Sequence, residues 1–206
     1  MKKIISVFLI LTIVALGFCA CSSKPSNRIS ERNITKTVGV IFDALKEFDT
    51  KTIKTYVDSD TLDIILTYAS KKEQFRKLGV AMFENITYEI KEVDLDGQTV
   101  TLSVKNKDLT KVAADYTADL LGRYSGLTGM MELAKSITDD AWLNSNLAVL
   151  TEGIKNAEIK SEPVEIKIHF EQKKDRLFFG FTESAEDAVS GGALTEIKKI
   201  ISSGVF

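Results

Sequence analysis

Cysteine is nearly absent from this chain. Its two thiols, Cys19 and Cys21, stand two residues apart near the start, and none follows. Proline is limited to Pro25 and Pro163, histidine to His169 and tryptophan to Trp142. No basic run occurs and the net charge is −2, which makes the chain a poor nucleic-acid binder. Beyond residue 30 there is no Pro/Gly/Ser linker, repeat or low-complexity tract. Residues 31–206 are therefore expected to form a single domain.

The start of the chain is the most specific part of it. Lys2 and Lys3 precede an apolar run from Ile4 to Phe18, and Cys19-Ala20-Cys21-Ser22-Ser23 follows. A charged n-region, an apolar h-region and a small residue before a cysteine form an export signal. The segment resembles a bacterial lipoprotein signal peptide, whose first mature residue is a lipid-bearing cysteine. The resemblance implies a signal at 1–20, lipidation of Cys21 and a polar tether at 21–30. The family pattern favours Leu three residues before the cysteine and a small residue just before it. Cys21 has Phe18 and Ala20 there, and Cys19 has Leu16 and Phe18. Ala20 favours Cys21, with Cys19 the alternative.

If Cys21 opens the mature chain, no free thiol remains in the folded part. That excludes disulfides, thiolate catalysis and cysteine metal sites. The run from Ile4 to Ala20 is at the lower limit for a spanning helix, so a transmembrane anchor and a cleaved, unlipidated signal are the rival readings. The two or three acyl chains implied by the resemblance, at about 0.8 kcal/mol per buried methylene, would hold the protein on the extracytoplasmic face of the cell membrane.

Downstream, Ile34, Val38, Ile41, Phe42, Leu45 and Phe48 recur at helical spacing and predict a helix over 31–48. Asp49 or Thr50 is expected to cap a short helix holding Ile53, Tyr56 and Val57. Thr61 is expected to open a longer one, with Leu62, Ile65, Leu66, Ala69, Phe75, Leu78 and Met82 on its apolar face. Ile86, Tyr88 and Ile90 then alternate with polar residues, as do Val100, Leu102 and Val104. With Asp96-Gly97 between them, they predict a hairpin.

A helical insertion over 110–156 follows. Val112, Ala113, Tyr116 and Leu120 form one stripe, interrupted by Gly122, Gly126 and Gly129. Met130, Leu133, Ala134 and Ile137 form a second, and Leu143, Leu147, Leu150 and Ile154 a third, capped by Asp139 or Asp140. Val164, Ile166, Ile168 and Phe170 predict the inward face of a strand. Lys173-Lys174-Asp175 turns it into Arg176–Phe181, with Leu177, Phe179 and Phe181 on one face and Phe178 on the other. Ala185 to Ile201 has helical periodicity broken by Gly191-Gly192.

Paired strands with helices to one side give an α+β class: a curved antiparallel sheet of about four strands on the N-terminal helices. The phrases Phe42-Asp43-Ala44-Leu45-Lys46-Glu47-Phe48-Asp49 and Lys54-Thr55-Tyr56-Val57, with Phe170 through Gly192, resemble Firmicute-type lipoproteins of unknown function with a nuclear-transport-factor-like (cystatin-like) domain. The resemblance implies a cone in which the sheet wraps a long helix and leaves an open mouth.

Some relatives use that mouth as an active site, with an Asp or His general base and a Tyr holding an oxyanion. His169 shares its strand face with Lys167 and Glu171, so a surface position is expected and no catalytic residue is assigned. Asp58, Asp60 and Asp63 cluster without the glycine and closing glutamate of a calcium loop; the stretch Asp58-Ser59-Asp60-Thr61 and Asp139-Asp140 are expected to be helix caps. No metal or cofactor is expected. Asn33-Ile34-Thr35 and Asn85-Ile86-Thr87 match the glycosylation sequon, without meaning behind a bacterial signal.

Tyr56, Tyr68 and Tyr88 are candidates to line a cavity. Met130 and Met131, with Gly126 and Gly129 and near Trp142, combine flexibility with soft apolar surface. Tyr56, Tyr88, Met130, Met131 and Trp142 are thus the candidate pocket or contact residues. The expected role is binding of a small apolar ligand or a protein partner without catalysis. The alternatives are an isomerase or dehydratase of the same superfamily and a homodimerising structural module. The sheet face with Thr87, Glu89, Thr101, Ser103, Lys167 and His169 is polar for such a dimer, with Phe178 its apolar exception.

Overall fold

The computed structural model describes residues 29–173, 176–200 and 202. The signal, Cys19, Cys21 and most of the tether lie outside the described residues.

The fold is α+β. Helix α1 (Glu31–Glu47) buries the predicted stripe, with Ile34, Val38 and Phe42 fully enclosed. Ser30 caps its start by accepting from the Asn33 amide. Helix α2 (Thr50–Tyr56) is capped by Asp49, whose carboxylate accepts from the Lys51 and Thr52 amides. These bonds, led by that from the Thr52 hydroxyl, hold its pKa below the usual carboxylate value.

The helix expected from Thr61 is two helices, α3 (Asp60–Ala69) and α4 (Glu73–Phe83). The stripe explains the break, since the step from Ala69 to Phe75 is not a helical spacing. Lys72 fixes the corner: its ammonium donates to Asp140 Oδ1 at 2.7 Å and to the Thr138 carbonyl at 3.0 Å.

Among the described residues the sheet has five strands in the order β1-β5-β4-β3-β2. They are β1 (Val57–Asp58), β2 (Thr87–Asp94), β3 (Thr99–Lys105), β4 (Val164–Lys173) and β5 (Arg176–Phe181). The sheet is open and mixed, which corrects the purely antiparallel expectation: β1 runs parallel to β5, pairing Val57 with Phe179. Two residues carry no periodicity, so the sequence read Val57 as the end of a helix. The other pairs are antiparallel, and the Asp96-Gly97 hairpin is where it was predicted.

A bulge at Lys91 lets Ile90 pair with Leu102 while Glu92 pairs with Thr101. It keeps Val93 on the inner face, opposite Val100. Inward, Val100, Leu102, Ile168 and Phe179 are fully buried. Val164 departs from its predicted inward place: it opens its strand and is 39% exposed. His169, Lys167, Thr87 and Glu89 lie on the exposed face, while Thr101 and Ser103 are half-buried within it.

The insertion forms α5 (Thr110–Arg123), α6 (Gly126–Ser136) and α7 (Asp140–Asn156). Gly126, at φ 73°, follows the break between the first two, whereas Gly122 and Gly129 lie inside helices. The last segment is α8 (Glu183–Val189) and α9 (Ala193–Ile200), separated at Gly191-Gly192. α4 packs on α7 and α5 on α9, while α1 and α8 pack on the sheet. The core is continuous from Ile34 to Ala193, with Leu120, Leu133 and Ile137 as a satellite cluster. Each buried Phe or Leu contributes roughly 1.5–3 kcal/mol.

Candidate functional site

The helical half encloses an apolar cavity of about 100 Å³. Phe48 at the end of α1, Leu62 and Ile65 of α3, and Leu78 and Met82 of α4 form one side. Ala113, Tyr116, Thr117 and Leu120 of α5, Leu133 of α6, Leu147 and Leu150 of α7 and Leu194 of α9 complete it. Among the described residues no strand residue, carboxylate, histidine, lysine or arginine lines it. The expected location was the mouth between sheet and N-terminal helix. The space lies instead among the helices, and the 110–156 insertion supplies much of its wall.

The wall follows from the amphipathic stripes. α5 and α7 each turn one apolar face inward, and Leu133 and Ile137 bring the end of α6 against them. Such faces meet imperfectly when several short helices converge, and a gap remains whose lining forfeits dispersion contacts.

Trp142, Tyr68 and Tyr116 line the wall with their rings. Trp142 donates its Nε1–H to the Tyr124 hydroxyl at 2.8 Å, and the two rings meet edge to face at 6.3 Å. Tyr68 packs at a tilt on Phe75, their centroids 5.7 Å apart. Tyr116 differs: its hydroxyl is buried and makes no hydrogen bond to any other described residue. Burial pushes its pKa up to about 12, opposed by the charge of Arg123. The phenol is thus a neutral donor throughout the physiological range.

The structure divides the sequence candidates. Trp142 and Tyr68 line the cavity. Met130 packs nearby on the satellite cluster without lining the space, and Met131 points outward, 59% exposed. Leu127, four residues earlier on the same helix, is 81% exposed. Tyr56 is partly buried and packs against the main core. Tyr88 stacks on Phe42, centroids 4.1 Å apart, and burial followed by the charge of Asp43 raises its pKa. Neither Tyr56 nor Tyr88 reaches the cavity. Tyr116 appeared in the sequence only as one member of a helical stripe. The available signal was a phenol on a face otherwise made of Val112, Ala113 and Leu120.

The acidic clusters have local explanations. Ser59 caps α3 by accepting from the Leu62 amide, and Asp139 caps α7 by accepting from Ala141 and Trp142. Among the described residues no group of three His, Cys, Asp or Glu side chains could hold a metal ion. None of the described helices is long and apolar enough to cross a membrane.

No protein-family model, curated protein or solved structure significantly matches the chain.

Proposed function

We propose that the chain is a lipid-anchored extracytoplasmic module that holds a small apolar ligand among its helices and does no chemistry on it. The cavity carries this reading. It is apolar, it is of the order that takes a small ring or a few methylenes, and its lining offers no acid or base poised near neutrality. General acid–base catalysis needs such a group within hydrogen-bond reach. A phenol held at about 12 cannot serve near neutrality as the general base that an isomerase or dehydratase needs. The anchor rests on Cys21 and its preceding apolar run. The cone-like superfamily reading rests on α1 against the sheet, with Phe42 stacked on Tyr88.

Trp142 is the sole tryptophan and lines the cavity, so it reports occupancy. The full chain, reconstituted with phosphatidylcholine vesicles, is titrated with 1-bromopropane, whose bromine quenches indole on contact. Saturable quenching that disappears in Ala113→Phe supports the cavity as a binding site. Identical quenching of both proteins would end the reading. The anchor is tested separately by labelling cells with a fatty-acid analogue. Cys21→Ala should remain an unlabelled precursor, and normal labelling would move the site to Cys19 or remove it.

A further inference from the structure

The cavity is long for its volume. Trp142 and Ile154 both line it, and they stand about 18 Å apart along α7 at about 1.5 Å per residue. The neighbouring helices give the same two ends. Near Trp142 lie Leu120, Leu133 and Ile137, with Tyr68 packed on Phe75 beside them. At the other end Val112 packs against Gly153, which brings Ala113 to the level of Ile154. A space of about 100 Å³ drawn out between those ends is narrow. Its surface is almost wholly carbon. The Trp142 N–H is committed to Tyr124, and the Tyr116 hydroxyl is enclosed away from the space. We propose, resting on the ligand-binding reading above, that the occupant is an unbranched hydrocarbon chain, held by its methylenes with no polar atom inside the cavity.

Every other class of occupant meets a specific cost. Among the described residues no cation lines the space, so a carboxylate or phosphate would give up its hydration without a counter-charge. A hydroxyl or carbonyl would lose its water without finding a partner. A branch or a ring would have to push apart closely packed walls, as overfilling a core does. A straight chain meets none of these costs, and each methylene that enters tightens binding about fourfold. Any polar head on the molecule stays outside. A membrane lipid and a free hydrocarbon both supply such a chain.

The test uses the full wild-type chain in phosphatidylcholine vesicles, so no outcome depends on the folding of a variant. Saturable quenching of Trp142 is the readout, against the free probe measured in the aqueous phase. 1-Bromopropane should bind roughly a hundredfold or more tighter than 2-bromoethanol, in which a hydroxyl replaces the terminal methyl. 1-Bromobutane should bind about fourfold tighter than 1-bromopropane. It should also bind about tenfold tighter than its branched isomer 1-bromo-2-methylpropane. Binding of 2-bromoethanol within tenfold of 1-bromopropane, or equal binding of the two isomers, overturns the chain assignment while the cavity remains a ligand site. Absence of saturable quenching by every probe overturns the ligand-binding reading itself. Repeating the titration in diphytanoylphosphatidylcholine, whose methyl-branched chains should not enter, separates the two sources. Tighter 1-bromobutane binding there than in straight-chain vesicles marks a competing lipid chain, and equal binding marks a free hydrocarbon.

Discussion

The ring of Phe48 occupies the place where a side chain on Gly79 would stand. A Cβ built on Gly79 would overlap Cδ1, Cε1 and Cζ of that ring. Phe48 itself is held at φ 51°, in the left-handed region, as the C-cap of α1. The strain of a non-glycine residue there is offset by a ring buried against Gly79 and stacked on Phe83. Because the same ring lines the cavity, the Gly79 contact fixes one wall of the site. Gly79→Ala gains about 1 kcal/mol of helix propensity but must displace the ring, at a cost of about 1–3 kcal/mol. The expected net loss is up to about 2 kcal/mol, read as a lower urea midpoint with unchanged slope. Phe48→Leu in the same chain should recover part of it.

Asn106 joins parts of the chain far apart in sequence. Its buried amide donates to the Met82 carbonyl at 3.0 Å and to the Val189 carbonyl at 2.7 Å, while its own oxygen accepts from the Lys107 amide. Next to it the Lys107 ammonium donates to the Ile154 and Lys155 carbonyls at the end of α7, where a cation complements the helix dipole. Asn106→Ala leaves these carbonyls without their side-chain donor. A loss of about 2–4 kcal/mol is expected, measurable by thermal melting. Asn106→Asp should fare no better, since a carboxylate cannot donate to them.

What the sequence made legible was mostly periodic. The stripe of α1, the Asp96-Gly97 hairpin and the alternation along β3 and, from Ile166 to Phe170, along β4 are local patterns, and each lies where periodicity put it. The caps at Asp49 and Asp139 were equally local. What escaped depended on distance. The pairing of Val57 with Phe179 joins residues far apart in sequence and leaves no local trace. The cavity is of the same kind, because it exists only where the stripes of several helices converge. Trp142 was found because it is conspicuous and Tyr116 passed over because it fitted its stripe.

Gly191 marks a second close approach of backbone to backbone. It stands at φ 66°, its carbonyl accepts from the Leu109 amide at 2.8 Å, and a Cβ would collide with the Lys107 carbonyl oxygen. Gly191→Ala combines left-handed strain of roughly 1 kcal/mol with a clash that backbone cannot relieve by a rotamer change. A loss of about 3 kcal/mol is expected. Amide exchange should localise it, with protection falling at Leu109 and through α9 before it falls in β3 and β4.

Tyr116 gives the protein an alkaline limit that a single substitution should move. Its folded-state pKa of about 12 lies above the ordinary value of 10.0. The protonated phenol is therefore favoured by folding. The stability it confers is complete below pH 10 and is lost as pH rises toward 12. On a two-unit rise the loss is on the order of 2 kcal/mol. Tyr88 and Lys198 also have raised pKa values, through burial and through the hydrogen bond to Glu186 respectively, so they act in the same direction. Tyr116→Phe removes the largest of these contributions. It also removes the enclosed hydroxyl, so at pH 7 it should be about 1 kcal/mol more stable than wild type, a rise of roughly 2–4 °C in Tm. Urea titrations at pH 7 and pH 11.5 should show wild type losing more stability than the variant between the two. Parallel losses would mean that the phenol ionises as freely in the folded chain as in the unfolded one.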